Sequence, residues 1–89
     1  MNNERRKRIE KVIASINELQ DQLEELQLTV EEVRDEEQEY LDNVPENLQS
    51  SERYENAENA LCNLEDAVNW FDNLDIDELT SALEEAISN

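Results

Sequence analysis

In the first half of the chain, large apolar side chains recur in alternating steps of three and four residues. The series consists of Ile9, Val12, Ile16, Leu19, Leu23, Leu26, Val30, Val33, Tyr40 and Val44. Only Glu37 interrupts it. Such spacing puts the side chains on one stripe of an α-helix, at the a and d positions of a heptad repeat. Because the chain has no Gly and its only Pro is Pro45, we predict one long helix over residues 4–42 that packs through this a/d stripe.

The segment around the only Pro predicts a corner. Proline disfavours the helical conformation at the residue before it, Val44, so we expect the corner to occupy residues 43–50. Ser50 and Ser51 are good N-cap residues for a second helix over residues 51–73. This helix repeats the three-and-four spacing with Tyr54, Ala57, Leu61, Leu64, Val68 and Phe71.

A third, short helix is predicted over residues 76–88. Asp75 and Glu78 have the spacing of a capping box, in which the first side chain accepts from the helix N-terminus and the second reaches back to the cap. The apolar residues of this helix are Ile76, Leu79, Leu83 and Ile87.

Two apolar stripes joined by one short corner predict an all-α, single-domain fold over residues 1–89. We expect an antiparallel coiled-coil helical hairpin with a short third C-terminal helix, in which Tyr40 lies near Tyr54 and Glu37 pairs with Arg53. A hairpin of this size buries little surface, so we expect two copies to dimerise into a bundle. Trp70 lies off the stripe, either packed against the third helix or a dimer mate, or left as an exposed anchor.

The composition excludes several classes of function. The chain has 25 acidic and 7 basic side chains, no His and one Cys, for a formal net charge of −18 over 89 residues. Without Gly or His it lacks phosphate-binding loops, zinc sites and Ser/His or Cys/His pairs, so we predict no enzyme activity and no cofactor, metal or small-molecule substrate. Residues 73–84 have the oxygen spacing of a calcium-binding EF-hand loop, but Glu78 replaces its Gly, and a helix start explains them better.

The same composition bears on where the chain works. A single Cys suits a reducing cytoplasm, and the basic N-terminus lacks the apolar run of a signal peptide. No segment approaches the roughly 20 apolar residues that span a bilayer. We therefore expect a cytoplasmic protein with no membrane partner, and its acidity argues against direct nucleic-acid binding.

The charge is unevenly distributed along the chain. Residues 1–11 hold 5 basic and 2 acidic side chains, and residues 12–89 hold 2 basic and 23 acidic ones, so a net charge of +3 precedes one of −21. Seven acids cluster at the end of the first helix, where the helix dipole disfavours negative charge. They are Glu31, Glu32, Asp35, Glu36, Glu37, Glu39 and Asp42. We predict that they form a surface for a basic partner; the alternative is a solvated helix face.

The basic N-terminal residues also have two interpretations. They are Arg5, Arg6, Lys7, Arg8 and Lys11. In a hairpin they lie near the acidic C-terminal end and neutralise it within the chain or across a dimer. The alternative is a contact with nucleic acid, against the repulsion of the acidic body.

The corner has a recognisable sequence pattern, DN-x-PE-x-LQ-x-SE. It is made by Asp42, Asn43, Pro45, Glu46, Leu48, Gln49, Ser51 and Glu52. With its flanks it resembles small uncharacterised acidic helical-hairpin proteins of bacterial phages and prophages. The resemblance covers about a third of the chain. It implies a phage origin, and phages encode acidic anti-defence proteins, including anti-CRISPR proteins that mimic nucleic acid.

Two functional hypotheses follow. In the first, the chain is a non-enzymatic interaction protein that presents its acids to a nucleic-acid-binding protein or nuclease of the bacterial host cytoplasm. In the second, it is a coiled-coil scaffold that works by oligomerisation, and its acids only keep it soluble.

Overall fold

The computed structural model describes all residues, Met1–Asn89, and its regular structure is entirely helical. Helix α1 spans Asn3–Asp42, a 3₁₀ turn spans Glu46–Leu48, helix α2 spans Glu52–Asp72 and helix α3 spans Ile76–Ser88. The all-α class and the helical hairpin predicted from the sequence are confirmed.

Polar side chains define where each helix begins. The N–H of Arg5 donates to Asn2 Oδ1 over 2.8 Å at the start of α1. Ser51 Oγ accepts from the N–H of Tyr54 (3.2 Å), and Asp75 Oδ1 accepts from the N–H of Glu78 (3.0 Å). The caps predicted at Ser51 and Asp75 are therefore present, although the Glu78 carboxylate does not reach back to complete a capping box.

Pro45 ends the first helix in the way the sequence predicts. After Asp42 the N–H of Val44 donates to the carbonyl of Leu41 over 3.2 Å, which closes the last turn of α1. The Pro45 carbonyl then accepts from the N–H of Leu48 over 2.9 Å and opens the 3₁₀ turn. The corner thus satisfies its backbone groups locally, and no residue has a positive φ.

The helices pack into two compact units, which are described separately. The larger unit, Glu25–Asn73, pairs the last turns of α1 with α2 across the corner. Its core consists of Leu41, Ala57 and Val68, the only buried side chains of the protein. Gln27 Nε2 donates to Asp72 Oδ1 over 2.6 Å and joins the two helices at the end away from the corner.

The smaller unit pairs the start of α1 with α3 and comprises Met1–Glu24 and Leu74–Asn89. Three hydrogen bonds show that the two segments run antiparallel. The Met1 ammonium donates to the carbonyl of Asn89 (3.2 Å), Arg6 Nε to that of Ile87 (3.0 Å), and Gln20 Nε2 to Asp77 Oδ1 (3.4 Å). Because the structure divides into these units, the single domain over residues 1–89 stays a prediction.

The face that α1 buries differs from the predicted a/d stripe. The a positions are half-buried as expected, but the d positions Val12, Leu19, Leu26, Val33 and Tyr40 remain between 42% and 57% exposed. The covered neighbours are instead the e positions, one residue further along the chain. These e positions are Ile13, Gln20, Gln27, Arg34 and Leu41.

The predicted coiled-coil seam is therefore corrected from a/d to a/e. The apolar arc of α1 spans d, a and e, because Ile13 and Leu41 are themselves apolar, and one partner helix covers only part of so wide an arc. Helix α3 shows the same shift: Leu79 is 51% exposed, and Thr80, which the sequence analysis left out of its face, is half-buried.

Two leucines of α1 test this account of the core. Leu41→Ala removes the largest of the three buried side chains, so we expect it to lower the free energy of unfolding by about 2–4 kcal/mol. Leu28 is 59% exposed, and Leu28→Ala is expected to change it by less than about 0.5 kcal/mol. Urea unfolding followed by circular dichroism measures both, and equal losses would contradict the a/e packing.

Candidate partner-binding surface

The acidic side chains of the protein are almost all unpaired. The only ion pair joins Arg34 to the neighbouring Asp35, with 3.2 Å between the guanidinium nitrogen and Oδ1. The expected pair of Glu37 with Arg53 is not formed, although both side chains line one shallow groove. Every other side-chain carboxylate therefore lacks a cation within 4.0 Å.

The charge is concentrated in the larger unit. Residues 25–73 contain 15 acidic and 2 basic side chains, a net charge of −13. The remaining residues contain 10 acidic and 5 basic ones, a net charge of −5. All seven predicted site residues belong to the larger unit, on the last three turns of α1.

The structure brings five of the seven predicted residues onto one surface. Glu32 and Glu39 share the c row of the heptad, Asp35 and Asp42 share the adjacent f row, and these four are exposed. Glu31 borders them on the b row and is half-buried. We call these five residues, Glu31, Glu32, Asp35, Glu39 and Asp42, the outer acidic surface, because their rows lie away from the a/e face that contacts α2.

Glu36 and Glu37 lie at the edge of this surface and outside it, respectively. Glu36 is exposed on the g row, between the c row and the exposed d positions, and Glu37 occupies an a position and is half-buried. Glu37 lies beside Tyr40 and Arg53 in the shallow groove between the helices. The site of seven acids stays a prediction, and the helix places only Glu37 apart from the other six.

The carboxylates of the outer acidic surface keep most of their hydrogen-bonding capacity free. Glu31 and Asp42 each accept one bond from a glutamine four residues away, Gln27 (3.4 Å) and Gln38 (2.9 Å). The side chains of Glu32 and Glu39 accept none. Five carboxylates spanning about 16 Å of helix axis have a mean axial separation of about 4 Å, compared with the roughly 3.4 Å axial spacing of phosphates on one DNA strand.

A groove with a volume of about 690 Å³ lies at the corner. Tyr40 and Tyr54 both line it, as the predicted pairing across the corner requires, together with Leu48 and Arg53. Glu36 and Glu39 also line it, so the groove and the outer acidic surface adjoin. A basic side chain bound at Glu39 would thus have aromatic surface within reach.

Of the basic N-terminal side chains, Arg6 contacts the backbone at the end of α3 and no acidic side chain. Arg6 Nε donates to the carbonyl of Ile87, and the Met1 ammonium to that of Asn89, so both cations satisfy carbonyls at the end of α3. No side chain of this segment forms an ion pair. The structure places Arg6 beside the end of α3, and both predicted roles of the segment stay predictions.

The segment with EF-hand-like spacing is a helix start. Asp75 caps α3, and Asp77, Ser81 and Glu84 lie within that helix. No group of three or more acidic, Cys or His side chains is arranged to hold a metal ion.

Sequence reasoning missed a second surface of the larger unit. Leu26, Val33 and Tyr40 are exposed on α1, and Trp70 is 60% exposed on α2, where its ring meets that of Phe71 edge-on with 5.4 Å between ring centroids. Trp70 is thus exposed in the single chain. The sequence signal for this surface was the row of neutral residues beside the α2 stripe, Asn56 and Asn63, which precedes Trp70 at steps of seven.

No protein-family model, curated protein or solved structure matches the chain. No helix combines the length and the apolarity needed to cross a membrane.

Because the protein has many unpaired acids and only one ion pair, we expect salt to stabilise the fold against unfolding. Sodium chloride at 0.5 M screens repulsion between exposed carboxylates and has only the Arg34–Asp35 pair to weaken. We expect the urea midpoint of unfolding to rise between 0.05 M and 0.5 M salt. A midpoint that falls would contradict the unpaired state of the acids.

Proposed function

We propose that the chain is a non-enzymatic interaction protein whose outer acidic surface binds a basic protein surface. The observation that carries this proposal is the absence of internal cations at these carboxylates: only Asp35 has one. A basic partner therefore displaces water and counterions and breaks almost no existing ion pair. The carboxylates also project from a regular helix, so little ordering is needed on binding.

The partner that fits this surface best is a protein that binds nucleic acid. Its groove is already lined by Lys and Arg that contact phosphates, and the carboxylates of α1 are arranged along one axis with a separation of similar size. The resemblance of the corner to phage proteins supports a more specific form of the proposal. In that form the chain is a phage-encoded nucleic-acid mimic that inhibits a host defence nuclease in the bacterial cytoplasm, as some anti-CRISPR proteins do.

A purified RNA-guided DNA nuclease with a fluorescent DNA duplex provides the test. We expect the chain to displace the duplex, and the triple variant Glu32→Gln, Asp35→Asn, Glu39→Gln to need at least about tenfold higher concentration. Fewer phosphate-like contacts should also reduce the slope of log affinity against log salt.

The matched control removes the same charges from α2. This control variant combines Glu58→Gln, Glu65→Gln and Asp66→Asn. The three replaced residues are exposed and lie outside the outer acidic surface. The control therefore has the same net charge as the first triple variant. This variant should displace DNA like the unmodified chain. Equal losses in both triple variants would show that net charge alone matters, and absence of displacement by the unmodified chain would contradict the nucleic-acid mimic.

The second candidate function is a scaffold that works by oligomerisation, with its acids serving solubility. The exposed d positions of α1 favour it, because a helix with an uncovered apolar row has surface left for another chain. For the binding function proposed first, we propose instead that the chain forms a discrete homodimer. Sedimentation velocity separates the two functions. A single dimeric species supports the discrete binder, and long or mixed oligomers support the scaffold.

A further inference from the structure

The two sides of the hairpin in the larger unit differ in charge. On one side the e rows of both helices meet, and polar groups join them, as in the 2.6 Å bond from Gln27 to Asp72. On the other side the d row of α1 borders the g row of α2, as the shallow groove lined by Tyr40, Arg53 and Ala60 shows. The residues of that second side, which we call the uncharged side, are Leu26, Val33, Tyr40, Ala60, Ala67 and Trp70.

The uncharged side is unusual in a unit with a net charge of −13. The next row outwards on α2 contains Asn56 and Asn63 before Trp70, and that on α1 contains Thr29. The charged residues at its margin, Glu36, Glu37 and Arg53, all lie near the corner. Half of this side, away from the corner, therefore has no charged residue on its own or its neighbouring rows.

Large apolar groups are nevertheless exposed there. Trp70 is 60% exposed and Leu26 57%, while Val33 and Tyr40 are 43% and 42% exposed. Between them Ala60 and Ala67 have small side chains, which allow another helix to approach closely. Exposed apolar surface, small residues and missing charge together are typical of a helix–helix interface.

We propose that the uncharged side is the contact between two copies of the chain, related by a two-fold axis at Val33. This deepens the homodimer of the proposed function by assigning its surface and orientation. In this arrangement α1 lies antiparallel to α1 of the partner, and α2 antiparallel to α2 of the partner. Leu26 and Tyr40 are each seven residues from Val33, so Leu26 meets Tyr40 of the partner subunit.

The same axis crosses the middle of α2. Val33 is level with residues near Asn63, because Gln27 lies beside Asp72 and Tyr40 beside Arg53 and Ala57. Ala60 and Ala67 lie at nearly equal distances along α2 on either side of that level, so these small side chains meet across the axis.

Charge favours a second copy as the occupant of this surface. A basic protein is attracted to the outer acidic surface, whereas the uncharged side attracts no cation. Two copies of a chain of charge −18 can approach only where the acids are absent, and this side is where they are absent. The antiparallel orientation also holds the two acidic corners at opposite ends of the dimer.

A disulfide at the axis tests the orientation directly. In a Cys62→Ser background, Val33→Cys places two thiols across the two-fold axis, so we expect rapid oxidation to a covalent dimer. Leu28→Cys, on the opposite side of α1 and 59% exposed, is the control and should oxidise at least about tenfold more slowly. Equal rates overturn the proposal, as does an arrangement of corner against corner, in which α1 lies over α2 of the partner and the Val33 positions do not meet.

A charge at the axis tests the surface independently of any cross-link. Val33→Glu places two carboxylates together in the contact, and we expect it to raise the dimer Kd at least about 50-fold in sedimentation equilibrium. Leu28→Glu adds the same charge elsewhere and should change the Kd less than about threefold. Because Val33 is 43% exposed in the single chain, the variant should retain its helical circular dichroism, and a retained dimer would overturn the proposal.

The two proposals fail separately. Val33→Glu should lose the dimer and retain displacement of DNA from the nuclease, since its outer acidic surface is intact. The Glu32, Asp35 and Glu39 triple variant should retain the dimer and lose displacement. A chain that dimerises as described and binds no basic protein would remove the proposed function alone, and a monomeric chain that displaces DNA would remove this inference alone.

Discussion

The contact of α1 with α2 in residues 25–73 buries only Leu41, Ala57 and Val68, and it must hold together helices of high negative charge. Three buried side chains contribute a few kcal/mol each at most, while exposed carboxylates repel one another across the unit. With a single ion pair to offset them, the acids can be tolerated only where solvent reaches them. Because of this requirement, most charged residues lie on the solvent-facing rows of each helix and most uncharged residues lie on the others.

The sorting leaves α1 with three kinds of surface. The a and e rows face the partner helix, the b, c and f rows carry the acids, and the d row with its neutral neighbours is left apolar and exposed. In a monomeric hairpin only the a and e rows form a contact. The other two suit contacts with molecules of different chemistry: a cation-rich protein for the acidic rows, and a surface without net charge for the d row.

The helices could be predicted from the sequence because their signals are local. Alternating apolar steps, the single Pro45 and the caps Ser51 and Asp75 act within a few residues, and the ends of α1, α2 and α3 follow from them. The buried face of α1 could not be predicted in the same way. Ile9 and Ile13 form as good a stripe as Ile9 and Val12, and which one is covered depends on where the partner helix lies.

The surfaces of the candidate site also could be predicted from the sequence only in part. Clustering in sequence identified the acidic end of α1 but also included Glu37, which helical periodicity places on the face towards α2. Trp70 could be recognised as lying off the stripe, yet only the packed hairpin shows that it stays exposed beside Ala67 on the same side as Val33. Positions around a helix are separated by 100° per residue, so one residue of error moves a side chain to a different surface.

The mass of the unmodified chain in sedimentation equilibrium at increasing salt tests the central claim most directly. If the acids are sorted away from an uncharged contact, screening should strengthen self-association, and the mass should move from 10.4 kDa towards twice that value as sodium chloride rises from 0.05 M to 0.5 M. A mass that stays at that of one chain at millimolar concentration, or a dimer that dissociates as salt rises, would contradict the account.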